Sequence, residues 1–122
     1  MSKLENTEQL ITAIVDALEN VKGKDIRILD LRDIENAVCK YFIICSGGSN
    51  TQVNALSGSV QKQVSKSLKE KPFQVEGIET AEWVLLDYID IVVHIFQNSV
   101  REYYDIESLW GDAKLTKIAS NY

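Results

Sequence analysis

Histidine, cysteine and proline are scarce in this 122-residue chain, which holds one, two and one of them, and each shortage closes off a class of protein. Cys39 and Cys45 have no second thiol pair and only His94 as a nitrogen ligand beside them. They make neither a zinc site nor a redox CxxC pair, and both are expected to be reduced thiols. Long apolar runs are missing too: Tyr41-Phe42-Ile43-Ile44-Cys45 falls far short of the ~20 residues that cross a bilayer. The amino end, Met1 to Asn6, lacks the apolar stretch of a secretory signal, so the expected location is the cytoplasm with no membrane contact. Basic residues are in deficit, 13 Lys and Arg against 18 Asp and Glu, and a net charge of −5 argues against binding nucleic acid by neutralising its phosphates. What remains is ordinary: 45% hydrophobic residues suit one compact domain, able to bury about two thirds of its unfolded surface without disulfide or metal.

The missing basic residues are not missing evenly. Between Pro72 and Val100 stand Glu76, Glu79, Glu82, Asp87 and Asp90 with no Lys or Arg, so this segment holds the whole net charge while the rest of the chain balances. On charge alone the segment reads as a solvated edge that aids solubility. The alternative is a surface that steers the protein onto a basic partner.

Hydrophobic spacing organises the chain. Leu10, Ile11, Ile14, Leu18 and Val21 recur at helical intervals before Gly23, and Val53, Leu56, Val60, Val64 and Leu68 do the same after Ser49 or Asn50. Lys62, Lys66 and Lys69 read as the wet face of that second helix. Ile26 to Leu31 and Tyr41 to Cys45 read as strands, the latter buried on both faces. Lys71-Pro72 ends the second helix, and Phe73 to Val75 is a short strand closed by Gly77. Trp83 to Leu86 and Ile91 to Phe96 are strands joined through Asp87-Tyr88-Ile89-Asp90, a link so short that they must be antiparallel neighbours. Asn98 or Ser99 begins a short helix through Arg101, Tyr103 and Tyr104, with Leu109 and Trp110 folding back as an apolar plug. The expected fold is a single α/β domain with a mixed sheet of about five strands flanked by helices. It occupies residues 1–111, and residues 112–122 form a polar tail whose only apolar pattern is Leu115 and Ile118.

One turn is worth testing for catalysis. Gly47-Gly48-Ser49, after a buried strand and before a helix, could hold a phosphate on its backbone amides. A nucleotidyl transferase would also need two carboxylates at i and i+2 on a following strand to share metal. No such pair exists, and no Lys follows at phosphate-loop spacing. The competing reading is a serine-capped strand-to-helix turn. His94 lies in an apolar strand with no nucleophile or carboxylate motif beside it and reads as structural, while Arg101 could lock the last helix to the sheet. Trp83, opening a strand among carboxylates, is balanced between core filling and partner contact.

Taken together, Glu76-Gly77, the run from Ala81 to Tyr88, the run from Asp90 to Phe96 and the run from Arg101 to Trp110 resemble the Iojap family, the ribosomal silencing factors. The likeness extends upstream through Asp25 to Asp30 and Tyr41 to Ser49, and covers roughly Thr7 to Trp110. The spacing W-x-x-x-D-x-x-D-x-x-x-H from Trp83 to His94, followed by R-x-Y-Y and L-W, is its most specific part. The resemblance implies a nucleotidyltransferase-like fold without transferase chemistry, hence no enzyme, no cofactor and no metal. It implies docking on the large ribosomal subunit, on that subunit's protein number fourteen, hindering the small subunit from joining and damping translation under nutrient limitation. Joined to the charge pattern, it makes Trp83, Glu82, Leu85, Asp87, Tyr88 and Asp90 the expected partner-binding residues. Trp83 would be the anchor, Asp87 and Asp90 would pair with partner Lys or Arg, and Glu82 would steer from the rim. His94, Arg101, Tyr104 and Trp110 are the expected structural lock. A transferase working through Gly47, Gly48 and Ser49, and a dimerising regulator paired through an exposed Trp-centred surface, are the competing classes. Ile89 stands where the family usually has glycine, and a β-branched residue resists the positive φ such a turn uses, so a different turn shape is expected here.

Overall fold

The structure, a computed structural model, describes residues 3–119. Helix α1 (Lys3–Asn20) buries Leu10, Ile14, Ala17 and Leu18 along one stripe. It ends where Lys22 turns left-handed and Gly23 N donates to Leu18 O at 2.9 Å. Glycine is required there, because a Cβ would collide with Cys45 Sγ. Strands β1 (Lys24–Asp30) and β2 (Tyr41–Gly47) follow. Helix α2 (Asn50–Leu68) is capped by Ser49, whose hydroxyl accepts from Gln52 N at 3.1 Å, and stopped by left-handed Lys69, whose N–H donates to Ser65 O. Then come β3 (Gln74–Glu76), β4 (Trp83–Asp87), β5 (Ile91–Gln97), two short helices α3 (Asn98–Tyr104) and α4 (Ile106–Leu109), and β6 (Lys114–Lys117).

The strands form one mixed sheet in the order β3-β4-β5-β2-β1-β6. Only β2 and β5 are parallel, in register from Tyr41 opposite Ile91 to Gly47 opposite Gln97. The expected hairpin holds: β4 and β5 run antiparallel, with Trp83 opposite Phe96 and Leu85 opposite His94. The sheet has six strands rather than about five. The extra one, β6, lies in the segment read as a polar tail and pairs antiparallel with β1. All four of its residues are exposed, so it shows none of the apolar alternation by which a strand is recognised.

Strand pleating divides the core in two. On one face α1 and α2 pack over Ile43, Val84, Leu86, Val93 and Ile95, all shut away from solvent. The other face carries Leu29, Phe42, Ile44, Val92 and Phe96, covered by Ile106 of α4 and, in part, by the β1–β2 loop. Leu109 does not fold back as a plug: it is 77% exposed. Ile106 at the start of α4 and Trp110 at its C-terminal cap take the inward positions, and Trp110 packs edge-on against Phe42 at 5.7 Å.

Candidate functional site

The glycine turn is occupied by its own helix. Gly48 N donates to Gln52 Oε1 at 2.7 Å, while Gln52 Nε2 donates to Lys22 O at 3.2 Å, so one side chain ties this turn to the end of α1. Ser49 Oγ serves as the cap of α2. Among the described residues, no group of three or more His, Cys, Asp and Glu is placed to hold a metal ion. Cys39 and Cys45 are free thiols, and burial pushes them up to about 11 and about 12, far from the thiolate that would react.

The face of the sheet away from α1 and α2 is aromatic. Trp83 is half-buried, stacked on Phe96 at 4.8 Å and tilted against Tyr104 at 5.0 Å. Its indole N–H donates to His94 Nδ1 at 3.1 Å. An indole nitrogen can only donate, so Nδ1 is the acceptor and the neutral ring carries its proton on Nε2. His94 is buried, with Phe42 edge-on at 4.6 Å, and burial pulls it down to about 4. Its Nε2 finds no hydrogen-bond partner among the described residues.

Arg101 anchors the end of this face. Only 7% exposed, it donates from Nη1 to Ser46 Oγ at 2.7 Å and to Asp25 O at 2.8 Å, and from Nε to Glu107 at 2.9 Å. One guanidinium thus joins α3 to β1, β2 and α4, geometry that the fork of an arginine supplies and a lysine cannot. His94, Arg101 and Trp110 lie inside or under this packing, whereas Tyr104 is half exposed at its margin against Trp83.

The structure brings together only part of the expected partner-binding set. Trp83, Leu85 and Asp87 alternate onto the same face of β4, and Glu82 is exposed beside them. Tyr88 does not join them. It falls on the opposite, helix-covered face, where it is 6% exposed and packs into the core, because successive strand residues alternate sides. Burial raises its phenol to about 12. Asp90 sits at the turn with an internal partner, Lys40 Nζ at 3.7 Å, and its carbonyl accepts from Lys40 N and Tyr41 N.

The turn itself departs from expectation. Ile89 adopts φ +76°, the left-handed region, despite its branched side chain. Its N–H donates to Asp87 Oδ1 at 2.8 Å, Asp90 N donates to Tyr88 O at 3.0 Å and Tyr88 N to Ile91 O at 2.8 Å. Three hydrogen bonds impose the tight turn on a residue that disfavours it. Beside this turn a cleft of about 420 Å³ opens on the aromatic face, its floor made by Leu85, Phe42 and Val92. Val38, Phe73 and Ile89 stand around it, three apolar residues from separate loops that the sequence reading passed over as candidates. Phe73 is expected to open a strand, but β3 begins only at Gln74 and leaves Phe73 in the preceding loop, and no local pattern ties it to Val38 or Ile89.

The chain matches the family model described as "Ribosomal silencing factor during starvation" over residues 4–121. It is 43% identical over 110 residues to the ribosomal silencing factor RsfS of Chromobacterium violaceum, covering 88% of this chain and 86% of that one. A crystal structure of a Chromobacterium violaceum protein superimposes with a TM-score of 0.80 at 39% identity, over 93% of this chain and 94% of the other. A more distant likeness, 27% over 116 residues, links 90% of the chain to 50% of the mouse protein named mitochondrial assembly of ribosomal large subunit protein 1.

Proposed function

The chain belongs to the ribosomal silencing factor family, and on that footing we propose that it is a cytoplasmic repressor of translation that docks on the large ribosomal subunit. In this reading it binds protein number fourteen of that subunit, hinders the small subunit from joining and damps translation when nutrients are scarce. The observation that carries the reading is the placement of charge. Glu76, Glu82 and Asp87 lie on or beside β3 and β4, the edge pair of the sheet, in a segment with no Lys or Arg, next to the half-buried Trp83 and Leu85. Such a surface is attracted to a basic protein patch and repelled by ribosomal RNA phosphates, so it selects protein from nucleic acid on a particle that presents both. The name of the mouse relative supports a large-subunit partner.

The protein acts in this reading by occupying a surface, not by turnover. A transferase would need the amide of Gly48 and the hydroxyl of Ser49 for its phosphate, and both are engaged with Gln52. Sedimentation of cell extract on a density gradient tests the proposal. The protein should travel with free large subunits and be absent from joined ribosomes, and adding it to purified subunits should reduce joining. Migration at the top of the gradient, or equal presence on joined ribosomes, would overturn it.

A further inference from the structure

Three chain segments furnish the cleft beside the β4–β5 turn with exposed apolar groups. Val38 comes from the β1–β2 loop and is 75% exposed, Phe73 precedes β3 and is 74% exposed, and Ile89 tops the β4–β5 turn at 60%. Isolated exposed apolar residues are common, but three converging on one apolar floor form a patch of the kind that marks an interaction site. Ile89 adds a second observation. Holding a β-branched residue at positive φ costs about 1–3 kcal/mol, and glycine would stand there without strain, so the exposed isoleucine side chain is kept at the expense of stability. The residues lining the cleft include Glu76 and Asp87 and no Lys or Arg.

We infer that this cleft is the anchor pocket of the docking surface, and that its occupant is a segment of a basic partner protein inserting one apolar side chain between Phe73 and Ile89, flanked by Lys or Arg facing Glu76 and Asp87. The inference rests on the docking reading above and moves its centre from Trp83 to Phe73 and Ile89. Trp83 becomes a positioning residue: its indole holds His94, and His94 and Leu85, directly opposite each other on β5 and β4, both line the cleft. Charge decides against two other occupants. A second copy placed face to face would oppose Glu76 and Asp87 to their own equivalents, and RNA would bring phosphates against the same carboxylates.

The test uses the full chain and purified large subunits in a co-sedimentation titration. The double variant Phe73→Ser, Ile89→Gly alters only exposed side chains, so it should keep the wild-type melting temperature or exceed it while binding at least tenfold more weakly. Glu76→Lys, also at an exposed position, should weaken binding, most of all at low salt. If the double variant binds within about twofold of wild type, the cleft is not the anchor, although the docking reading stands. If wild type itself fails to sediment with the subunit, both fall. Sedimentation velocity supplies the last arm: a wild-type dimer that the double variant disperses, with subunit binding unchanged, would assign the cleft to a second copy and overturn the inference.

Discussion

The helix-covered face of the sheet buries aliphatic side chains completely, whereas the opposite face packs two tryptophans, a histidine and an arginine under a partial cover of short helices and loop. The same strands build both. β4 sends Val84 and Leu86 to the first face, where neither is exposed, and Trp83, Leu85 and Asp87 to the second, where all three are half-buried. Two helices of 18 and 19 residues cover the first face, and the second has helices of 7 and 4. The difference teaches how the domain separates its tasks. Continuous aliphatic burial on one side stabilises the fold, which leaves the other side room for an open cleft, a strained turn and an uncompensated acidic rim.

The contrast breaks most visibly under truncation. Leu56→Ala, at a fully buried position on the inner side of α2, should lose about 3 kcal/mol of unfolding free energy by leaving a cavity, with subunit affinity unchanged below the melting transition. Trp83→Ala, half-buried on the other face, should lose less stability, about 2 kcal/mol, but weaken subunit binding roughly thirtyfold. Denaturant melts and binding isotherms on both variants check this, and equal effects on binding would erase the functional distinction between the faces.

Acid should act next most strongly, and the aromatic face contributes through His94. Burial holds His94 near 4 in the fold against 6.5 in the unfolded chain. Between those values the unfolded chain takes up a proton that the folded one excludes, so stability is full above pH 6.5 and falls as pH drops toward 4. The loss is on the order of 3 kcal/mol. His94→Gln removes this ionisation while the carboxylates titrate in both proteins. The stability advantage of wild type over His94→Gln should therefore shrink between pH 7 and pH 4.5, measured by urea midpoints at each pH.

The smallest effect sharpens the comparison instead of breaking it. Ile89→Gly relieves the left-handed strain but adds the backbone freedom of glycine to the unfolded chain, so a net gain of about 1 kcal/mol is expected, alongside weaker subunit binding. Thermal melting checks the sign. A stabilised protein that binds worse would mark the turn as a place where function is kept at the expense of stability.

Much of the helix-covered face was legible beforehand, because residues such as Leu10, Ile14, Leu18, Val53, Leu56 and Val60 carry the helical period themselves. The strands β2, β4 and β5 were equally plain, as was the cap before α2. The period of a strand also contained an answer that went unused: residues 83, 85 and 87 alternate with 84, 86 and 88, which already separates Tyr88 from Trp83. β6 and the cleft were not legible, since a fully exposed strand has no apolar pattern and a cleft formed by three loops has no local one.

What the amino-acid order determined by itself was local: where the two long helices stop, where α2 begins, which strand residues share a face, and that the acidic excess sits in one segment. These follow from backbone geometry and short-range spacing, which need no knowledge of distant neighbours. The tertiary structure alone decided the rest. It set Arg101 against Ser46 and Asp25, 55 and 76 positions away, paired Lys114–Lys117 with the edge of β1, gave Asp90 an internal cation in Lys40, and gathered Val38, Phe73 and Ile89 around one floor. Each of these depends on which surfaces remain uncovered once the sheet is assembled, and that is a property of the packed layers, not of any segment within them.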